Sequence, residues 1–407
     1  MMMHPFDLNL RHLRALIAIR EQGSISGAAE IVSLSQPALT QGLAKLEAQF
    51  ACTLFERRSD GMVPTRFGQL VTDRAEAALA HLAGGTKGFN RVFSLPENVI
   101  TMTQVRAFLA LADAGSFVSA AGTMGLSQTA VHRGVRELES VLGAEMVERR
   151  GRGVWINAGG KRFARGARLA VAELAAAIAD TQDESEGESI AIGALPLSRP
   201  FLVPAAMGRL AAERPRARFE IFEGSWREMV EPLRDGAVDM VVGTLRSHEV
   251  ADLRQVPIYD DQLVIAAGAE HPLAGAQKPD LDALRRYPWI VPPKNSPLRQ
   301  EWERLFAGSQ KPNGPIETGS VMIIGRLLTE GEFLTLLSPS QIALQIGAGL
   351  LAQVGPPLSQ STRRLGIIVR QDWRPTRLQR RFMELLVDLG ESPDSHENHP
   401  IASRGWI

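Results

Sequence analysis

Apolar residues recur at helical spacing from the beginning of the chain. Leu10, Leu13, Leu16 and Ile17 fall on one face of a helix, and a short apolar segment around Ala28-Ala29 follows. The pattern predicts two successive helices.

A third helix is predicted to begin after Ser35, because a serine hydroxyl caps a helix N-terminus well. Its apolar face carries Leu39, Leu43 and Leu46. Polar residues occupy the opposite face: Gln36, Thr40 and Gln41.

This pattern occurs twice. Segments 23–68 and 115–160 match at a constant offset of 92 residues without a gap. The matches include Gly23-Ser24 with Gly115-Ser116, Leu34-Ser35-Gln36 with Leu126-Ser127-Gln128, Leu46-Glu47 with Leu138-Glu139, Glu56-Arg57-Arg58 with Glu148-Arg149-Arg150, and Gly68 with Gly160. The constant register indicates one module present in two copies.

The second copy has the same division between an apolar and a polar helix face. Val131, Val135 and Leu138 form the apolar face. The opposite face carries Gln128, Thr129, His132, Arg133 and Arg136. Either these polar residues only face water, or they enter a DNA major groove, where Gln and Arg hydrogen-bond base edges.

Arginines after each third helix favour the DNA interpretation. Arg57-Arg58 and the segment 149–153 (RRGRG) fall where a hairpin wing would lie beside phosphates. A mildly basic segment 1–182 beside a mildly acidic remainder also fits an anionic partner at one end.

A long Ala/Leu-rich helix is predicted from Lys161 to Asp180. Its apolar residues are Leu169, Ala172, Leu174 and Ala176. They either belong to a domain core or form a seam between two copies of the chain, and we favour the seam, because an exposed helix of this length needs a partner for its apolar side.

The pattern changes after an acidic segment, 183–188, which we interpret as a linker. Strands and helices then alternate: strand 190–194, helix 200–212, strand 218–222, helix 225–235, strand 238–243, strand 289–291, a helix after Pro297, strand 316–317, helix 321–328, strand 333–337, strand 365–369 and helix 375–388. The βαβαβ order predicts a parallel sheet with a ligand crevice beyond the carboxyl ends of its strands.

Composition excludes several classes. The single cysteine, Cys52, rules out disulfide frameworks and Cys-rich zinc modules within the chain. Nucleophile elbows, Walker loops and His-Glu-x-x-His motifs are absent, so we expect no enzyme, no cofactor and no metal. The N-terminus lacks the layout of a signal peptide and no apolar run is long enough to span a bilayer, so we expect a cytoplasmic protein without membrane contact.

These repeated segments resemble the N-terminal region of the LysR-type transcriptional regulators. The resemblance rests on the segments 23–29 (GSISGAA), 34–40 (LSQPALT) and 54–57 (LFER), and again on 115–150. Together with the helix and wing patterns, it implies these DNA-binding residues: Ser35, Gln36, Pro37, Thr40, Gln41, Arg57, Arg58, Ser127, Gln128, Thr129, His132, Arg133, Arg149, Arg150 and Arg152.

The chain departs from the family pattern in two respects. Members usually carry one such module, so it is open which copy reads the operator. An arginine usually stands where the first copy has Gln41, and the second copy keeps it as Arg133. The helix from Lys161 to Asp180 resembles the linker helix through which LysR proteins dimerise.

The remainder resembles the LysR effector domain, a two-lobed α/β fold like that of periplasmic binding proteins. The supporting segments are 192–193 (IG), 233–236 (LRDG) with Asp239, 271–273 (HPL) and 288–289 (PW). By position after strand ends, the expected effector-binding residues are Leu197, Ser198, Arg199, Thr244, Ser296, Leu298, Arg299, Thr318 and Ser320. The two arginines either hold a carboxylate or form surface ion pairs, and the serines are either ligands or helix caps.

The predicted organisation is therefore multi-domain. It comprises two winged helix-turn-helix modules (7–95 and 100–160), a linker helix for dimerisation (161–182), an effector-binding domain (188–390) and a disordered tail (391–407). The resemblance implies double-stranded operator DNA, a sugar or an aromatic or other organic acid as effector, RNA polymerase, and a homodimer or higher homo-oligomer as partners. A transport-type binding protein shares the sensor fold, but two DNA-binding modules argue against it.

Overall fold

The computed structural model describes residues 3–59, 61–89, 98–150, 153–181, 188–294 and 296–391. Its contacts divide the chain into two compact units, one of residues 1–189 with 230–238 and the other of 190–229 with 239–407. Of the predicted tail (391–407), Glu391 ends the last helix and residues 392–407 lie outside the described residues, as does most of the predicted linker (183–188).

The first unit contains the repeated module twice. The first copy comprises a 3-10 turn (Pro5–Asp7), α1 (Leu10–Gln22), α2 (Ile25–Ile31), α3 (Gln36–Phe50), β1 (Phe55–Arg58), β2 (Gly61–Pro64) and α4 (Arg66–Gly85). The second comprises α5 (Met102–Ala114), α6 (Phe117–Met124), α7 (Gln128–Leu142), β3 (Val147–Arg150), β4 (Gly153–Ile156) and α8 (Ala158–Thr181). Each strand pair is an antiparallel hairpin.

Two glycines shared by the copies explain how the module closes. Gly23 and Gly115 end α1 and α5 in the left-handed region, with φ of 61° and 65°. Gly68 lies so close to the wing that a Cβ would come within 1.8 Å of the carbonyl oxygen of Leu54, and Gly160 repeats this approach to Met146 at 2.7 Å.

Both copies contribute to one continuous hydrophobic core. Leu16 and Leu46 of the first copy and Phe108 and Leu138 of the second belong to it, together with Phe163 of α8. Helix α8 packs along α4, and of the four apolar residues predicted for the seam Leu174 is buried within this chain, whereas Leu169, Ala172 and Ala176 are half-buried. Dimerisation of two chains through α8 stays a prediction.

The second unit is an α/β structure with two principal sheets. The elements from residue 189 onward are β5 (Ser189–Ala194), α9 (Leu202–Glu213), β6 (Arg218–Glu223), α10 (Trp226–Asp235), β7 (Met240–Thr244), β8 (Leu253–Asp261), β9 (Val264–Gly268), α11 (Leu281–Arg285), β10 (Ile290–Val291), α12 (Pro297–Leu305), β11 (Ile316–Glu317), α13 (Val321–Glu330), β12 (Thr335–Leu337), α14 (Pro339–Gly347), β13 (Leu351–Val354), β14 (Arg363–Arg370) and α15 (Arg377–Glu391). The end of α10, from residue 230, groups with the first unit.

The first principal sheet has the order β6-β5-β7-β14-β8, and the second has β12-β9-β13. The short parallel pair β10-β11 lies beside the second sheet through a bridge between Trp289 and Leu334. Strands β5 and β7 are parallel, as the βαβαβ order predicts. The chain passes from the first sheet to the second after β8 and returns before β14.

The two segments that connect the sheets, after β8 and before β14, contact each other. The hydroxyl of Ser361 accepts a hydrogen bond from the amide of Leu263 at 2.9 Å, and the guanidinium of Arg363 pairs with Asp261. Burial and the Asp261 carboxylate raise the pKa of Tyr259, on the same strand, to about 12. None of the helices in the described ranges is long and apolar enough to cross a membrane.

Candidate nucleic-acid interface and effector site

Helices α3 and α7 present the predicted DNA-binding residues on their exposed sides. Ser35 and Ser127 cap the two helices by accepting hydrogen bonds from the amides of Ala38 and Ala130, at 3.4 and 3.2 Å. The structure places most of the other predicted residues at exposed positions of the two helices: Gln36, Pro37, Thr40, Gln41, Gln128, Thr129 and Arg133.

The neighbouring residues Arg133 and His132 of α7 differ in exposure. The side chain of Arg133 is 75% exposed, with its Nε 3.8 Å from the carboxylate of Glu137. His132 is half-buried, and its ring lies 5.0 Å from that of Phe117. Arg133 can therefore extend into a groove, whereas the His132 ring is packed on the neighbouring helix.

A glutamate in each copy, buried at Glu139 and half-buried at Glu47, fixes the wing to the third helix of its module. Oε1 of Glu139 accepts hydrogen bonds from the amides of Met146 and Val147, at 2.8 and 3.1 Å. In the first copy, Glu47 accepts from Leu54 and Phe55 at 2.8 and 3.3 Å. In the sequence the two glutamates stand out only as part of the repeat, and an acidic residue beside the apolar face of the third helix in both copies was a usable signal.

Two of the predicted wing arginines are described in full, on the hairpin of the first module. Arg57 and Arg58 are exposed on β1, and Arg58 pairs with Glu56 at 2.8 Å. The backbones of Arg149 and Arg150 belong to β3. The side chains of these two residues, and the whole of Arg152, lie outside the described part of the chain.

The predicted effector residues of the first sheet come together at the ends of β5 and β7. Ser198 is fully buried, and its hydroxyl lies 2.7 Å from the carbonyl oxygen of Val242 and 3.0 Å from that of Leu195. Leu197 is also buried, whereas Thr244 is half-buried at the end of β7. Ser198 therefore binds backbone within the protein.

Arg199 is bonded within the same loop region. Its Nε donates to the carbonyl of Ala194 at 2.9 Å and its Nη2 to that of Gly224 at 3.0 Å. Nη1 lies 3.5 Å from the carboxylate of Glu223. These contacts hold the loop after β5 against the end of β6.

The predicted residues of the second group lie at the ends of β10 and β11. Ser296 caps α12, and Ser320 caps α13. The hydroxyl of Thr318 accepts from the amide of Ser320 at 3.2 Å. Leu298 packs on the core of the second sheet.

The guanidinium of Arg299, like that of Arg199, is bonded to neighbouring groups of the protein. Its Nη1 donates to the carbonyl of Pro292 at 3.2 Å, its Nε donates to Glu303 at 3.3 Å, and its guanidinium stacks on Trp302 at 4.9 Å. Ser296 and Ser320 thus have the capping role that the sequence left open, whereas Ser198 caps no helix and binds backbone carbonyls. The contacts join the predicted residues into two groups, one at each sheet.

Three comparisons with known proteins bear on this geometry. Residues 10–69 and 102–161 both match the model described as "Bacterial regulatory helix-turn-helix protein, lysR family". Residues 183–391 match the LysR substrate binding domain. No group of three or more His, Cys, Asp or Glu side chains among the described residues could hold a metal ion.

Two relatives extend the match. The HTH-type transcriptional regulator GalR of Pseudomonas putida is 31% identical over 368 residues, covering 89% of this chain and 92% of GalR. The regulator PcaQ of Agrobacterium fabrum is 29% identical over 282 residues, covering 68% of this chain and 91% of PcaQ. About one ninth of this chain lies outside the GalR match. That part is shorter than either module, so the match includes part of both copies.

A solved structure shows the same fold. A full-length OxyR variant from Pseudomonas aeruginosa superposes with a TM-score of 0.56 at 21% identity, covering 72% of this chain and 94% of OxyR. The helical N-terminal region and the α/β domain thus have a fold that is known from a solved structure. The chain belongs to the LysR family of bacterial transcriptional regulators, which bind DNA under the control of a small-molecule effector and are not enzymes.

Proposed function

We propose that the second module is the principal operator reader of this regulator. The carrying observation is Arg133, which is 75% exposed on α7, where the first module has the uncharged Gln41. An arginine binds guanine through two hydrogen bonds, worth about 1–3 kcal/mol of discrimination at one base position. A glutamine such as Gln41 pairs best with adenine. The first module then adds a second contact with the operator DNA.

Point variants test this assignment better than truncation. Removing residues 1–95 would strip α4 from α8 and open the shared core. We therefore compare Arg133→Ala with Gln41→Ala in gel shifts on the DNA upstream of the chain's own gene. Arg133→Ala should lose preference for that DNA over an unrelated duplex, and Gln41→Ala should keep it. The reverse result would make the first module the reader.

We infer that the effector is a small organic acid or a sugar that binds in the crevice between the two sheets, which act as the two lobes of the sensor. Both loop groups follow carboxyl ends of parallel strands, where open α/β sheets bind ligands. The N-termini of α12 and α13 add amide donors for an anion.

In this proposal the predicted residues have different roles. Oγ1 of Thr318 and Oγ of Ser320 accept backbone hydrogen bonds, so each hydroxyl proton is left to donate to a ligand. Thr244 offers a third hydroxyl at the other sheet. Arg199 and Arg299, bonded to loop carbonyls, set the shape of the two loops and act on the ligand through them.

A thermal-shift screen of sugars, aromatic acids and aliphatic acids tests the site, because a ligand that binds only the folded state raises the melting temperature. Thr318→Val should weaken the response to the ligand found, with Thr329→Val on the exposed end of α13 as the matched control. An unchanged titration in Thr318→Val would place the ligand elsewhere. We further propose a homo-oligomer that contacts RNA polymerase, as the family resemblance implies.

A further inference from the structure

The packing of α4 on α8 carries information about how the two modules are arranged. Arg74 contacts Glu173 and Asp180, whereas Gly85, further along α4, approaches Phe163. Residue numbers rise along α4 as they fall along α8. The two helices therefore run antiparallel.

A contact between α4 and α8 is also reciprocal: each of its two positions has an equivalent on the other helix, 92 residues away, and the equivalent pair is in contact too. Position 74 is equivalent to 166, and position 81 is equivalent to 173. Arg74 bonds Glu173 at 2.9 Å. At the exchanged position, a Cβ on Gly166 would lie 2.4 Å from the carbonyl oxygen of His81. Reciprocal contacts of this kind are the mark of a two-fold interface, here formed inside one chain.

Buried charge selects this pairing over a pairing of identical helices. The side chains of Arg74, Glu173 and Asp180 are all at least nine-tenths buried, with Arg74 2.9 and 3.2 Å from the two carboxylates. If α8 paired with α8 of another copy in the same register, these carboxylates would face Gly166. Burying two acids without the arginine would be strongly unfavourable.

Contacts outside the helix pair also join the modules. Nη1 of Arg14, on α1, donates to the carbonyl of Asn98 at 2.9 Å. The guanidinium of Arg106, on α5, lies 5.8 Å from the centre of the Phe6 ring. The relation between the modules is therefore fixed at several points within one compact unit.

From these observations we propose that one chain is a built-in pseudo-dimer, which reads both halves of a two-part operator with unlike half-sites. The proposal rests on the DNA-reading role assigned to α3 and α7. A two-fold relation between modules places their recognition helices on two half-sites about one helical turn apart. Because α3 carries Thr40 and Gln41 where α7 carries His132 and Arg133, the two halves need not share a sequence.

A mixing experiment with the full chain tests whether one chain supplies both readers. One variant disables the first module (Gln36→Ala with Gln41→Ala), and the other disables the second (Gln128→Ala with Arg133→Ala). All four positions are exposed, so both variants should fold. Affinity is measured on a short duplex of the footprinted upstream DNA that holds only the two half-sites.

Each variant should lose at least about 10-fold in affinity, and an equimolar mixture should bind no better than the stronger variant. Recovery of wild-type binding in the mixture would show that different chains read the two half-sites, and would overturn the proposal. Such a result is expected if α4 of one chain packs on α8 of another. This readout is independent of any contact that chains make through their second units.

A spacing experiment separates a fixed pair from two independently tethered modules. Inserting 5 bp between the half-sites turns one half-site by about half a turn. A fixed pair should lose at least about 10-fold and fall to the affinity of a duplex with one scrambled half-site. A loss below about 3-fold would indicate flexible tethering and overturn the proposal. If wild type did not prefer the upstream duplex over random DNA, the DNA-reading role itself would fail.

Discussion

The anchoring of the wing by a buried glutamate leads to a prediction that can be worked out in detail. Glu139→Ala removes the acceptor for the amides of Met146 and Val147 in the second module. Glu139→Gln keeps one oxygen in place but loses the charge and the contact with Arg136 at 3.2 Å. Glu47→Ala is the matched change in the first module.

The expected cost follows from the two hydrogen bonds. A backbone N–H left without a partner in a buried place costs about 1–3 kcal/mol. The amide of Met146 is buried and that of Val147 is partly buried, so Glu139→Ala should cost about 3 kcal/mol. Glu139→Gln should cost about 1 kcal/mol, because its amide oxygen still accepts.

Hydrogen exchange followed by mass spectrometry measures this effect locally. In Glu139→Ala, amides 146–156 should exchange faster, while those of the first wing (54–64) keep their protection. In Glu47→Ala the pattern should reverse. Affinity for the upstream DNA should fall further in Glu139→Ala than in Glu47→Ala, because the second wing serves the principal reader. Unchanged protection of 146–156 in Glu139→Ala would refute the anchoring role.

Three further predictions concern single positions. Arg133→Ala should weaken binding to its preferred base by about 1–3 kcal/mol while Arg133→Lys keeps part of the affinity, and equal binding of all base substitutions by wild type would contradict this. Gly68→Ala should lower the melting temperature, because its Cβ would meet the Leu54 carbonyl, whereas Gly84→Ala, with open space around it, should not; equal effects would be inconsistent with the close packing. Burial, Lys45 and Arg11 lower the pKa of His12 below 6.5, so its contribution to stability is present above pH 6.5 and is lost as the pH falls below it. A His12→Gln variant should therefore show a shallower loss of melting temperature below pH 6.5, and a parallel loss would exclude this role.

Much of the first unit could be predicted because its signals are local. Capping serines, apolar spacing and the offset of 92 residues gave both helix triplets and both hairpins. The partners of Arg74 could not be predicted, since Glu173 and Asp180 lie about a hundred residues away in the chain. Only the folded structure shows that the second copy supplies them.

In the second unit, the position of a residue after a strand end was not enough to predict its role. The strands and helices that form the parallel βαβ units were predicted, but β8, β9, α11, α14 and β13 were not. Helix α14 had a usable signal, because Ser338 and Gln341 form a capping box at its start, with Pro339 between them. Ser198 and Arg199 do follow a strand, yet both bind backbone carbonyls. Sequence position gives the region of a side chain, whereas its hydrogen-bond partner depends on the loops that meet there.

Hydroxyl-radical footprinting of the full chain on the DNA upstream of its gene tests most directly the claim that α3 and α7 are the readers. Wild type should protect two patches about one helical turn apart. Arg133→Ala should erase one patch, and Gln41→Ala should weaken only the other. Two patches that stay equally protected in both variants, or no protected patch in wild type, would contradict the account.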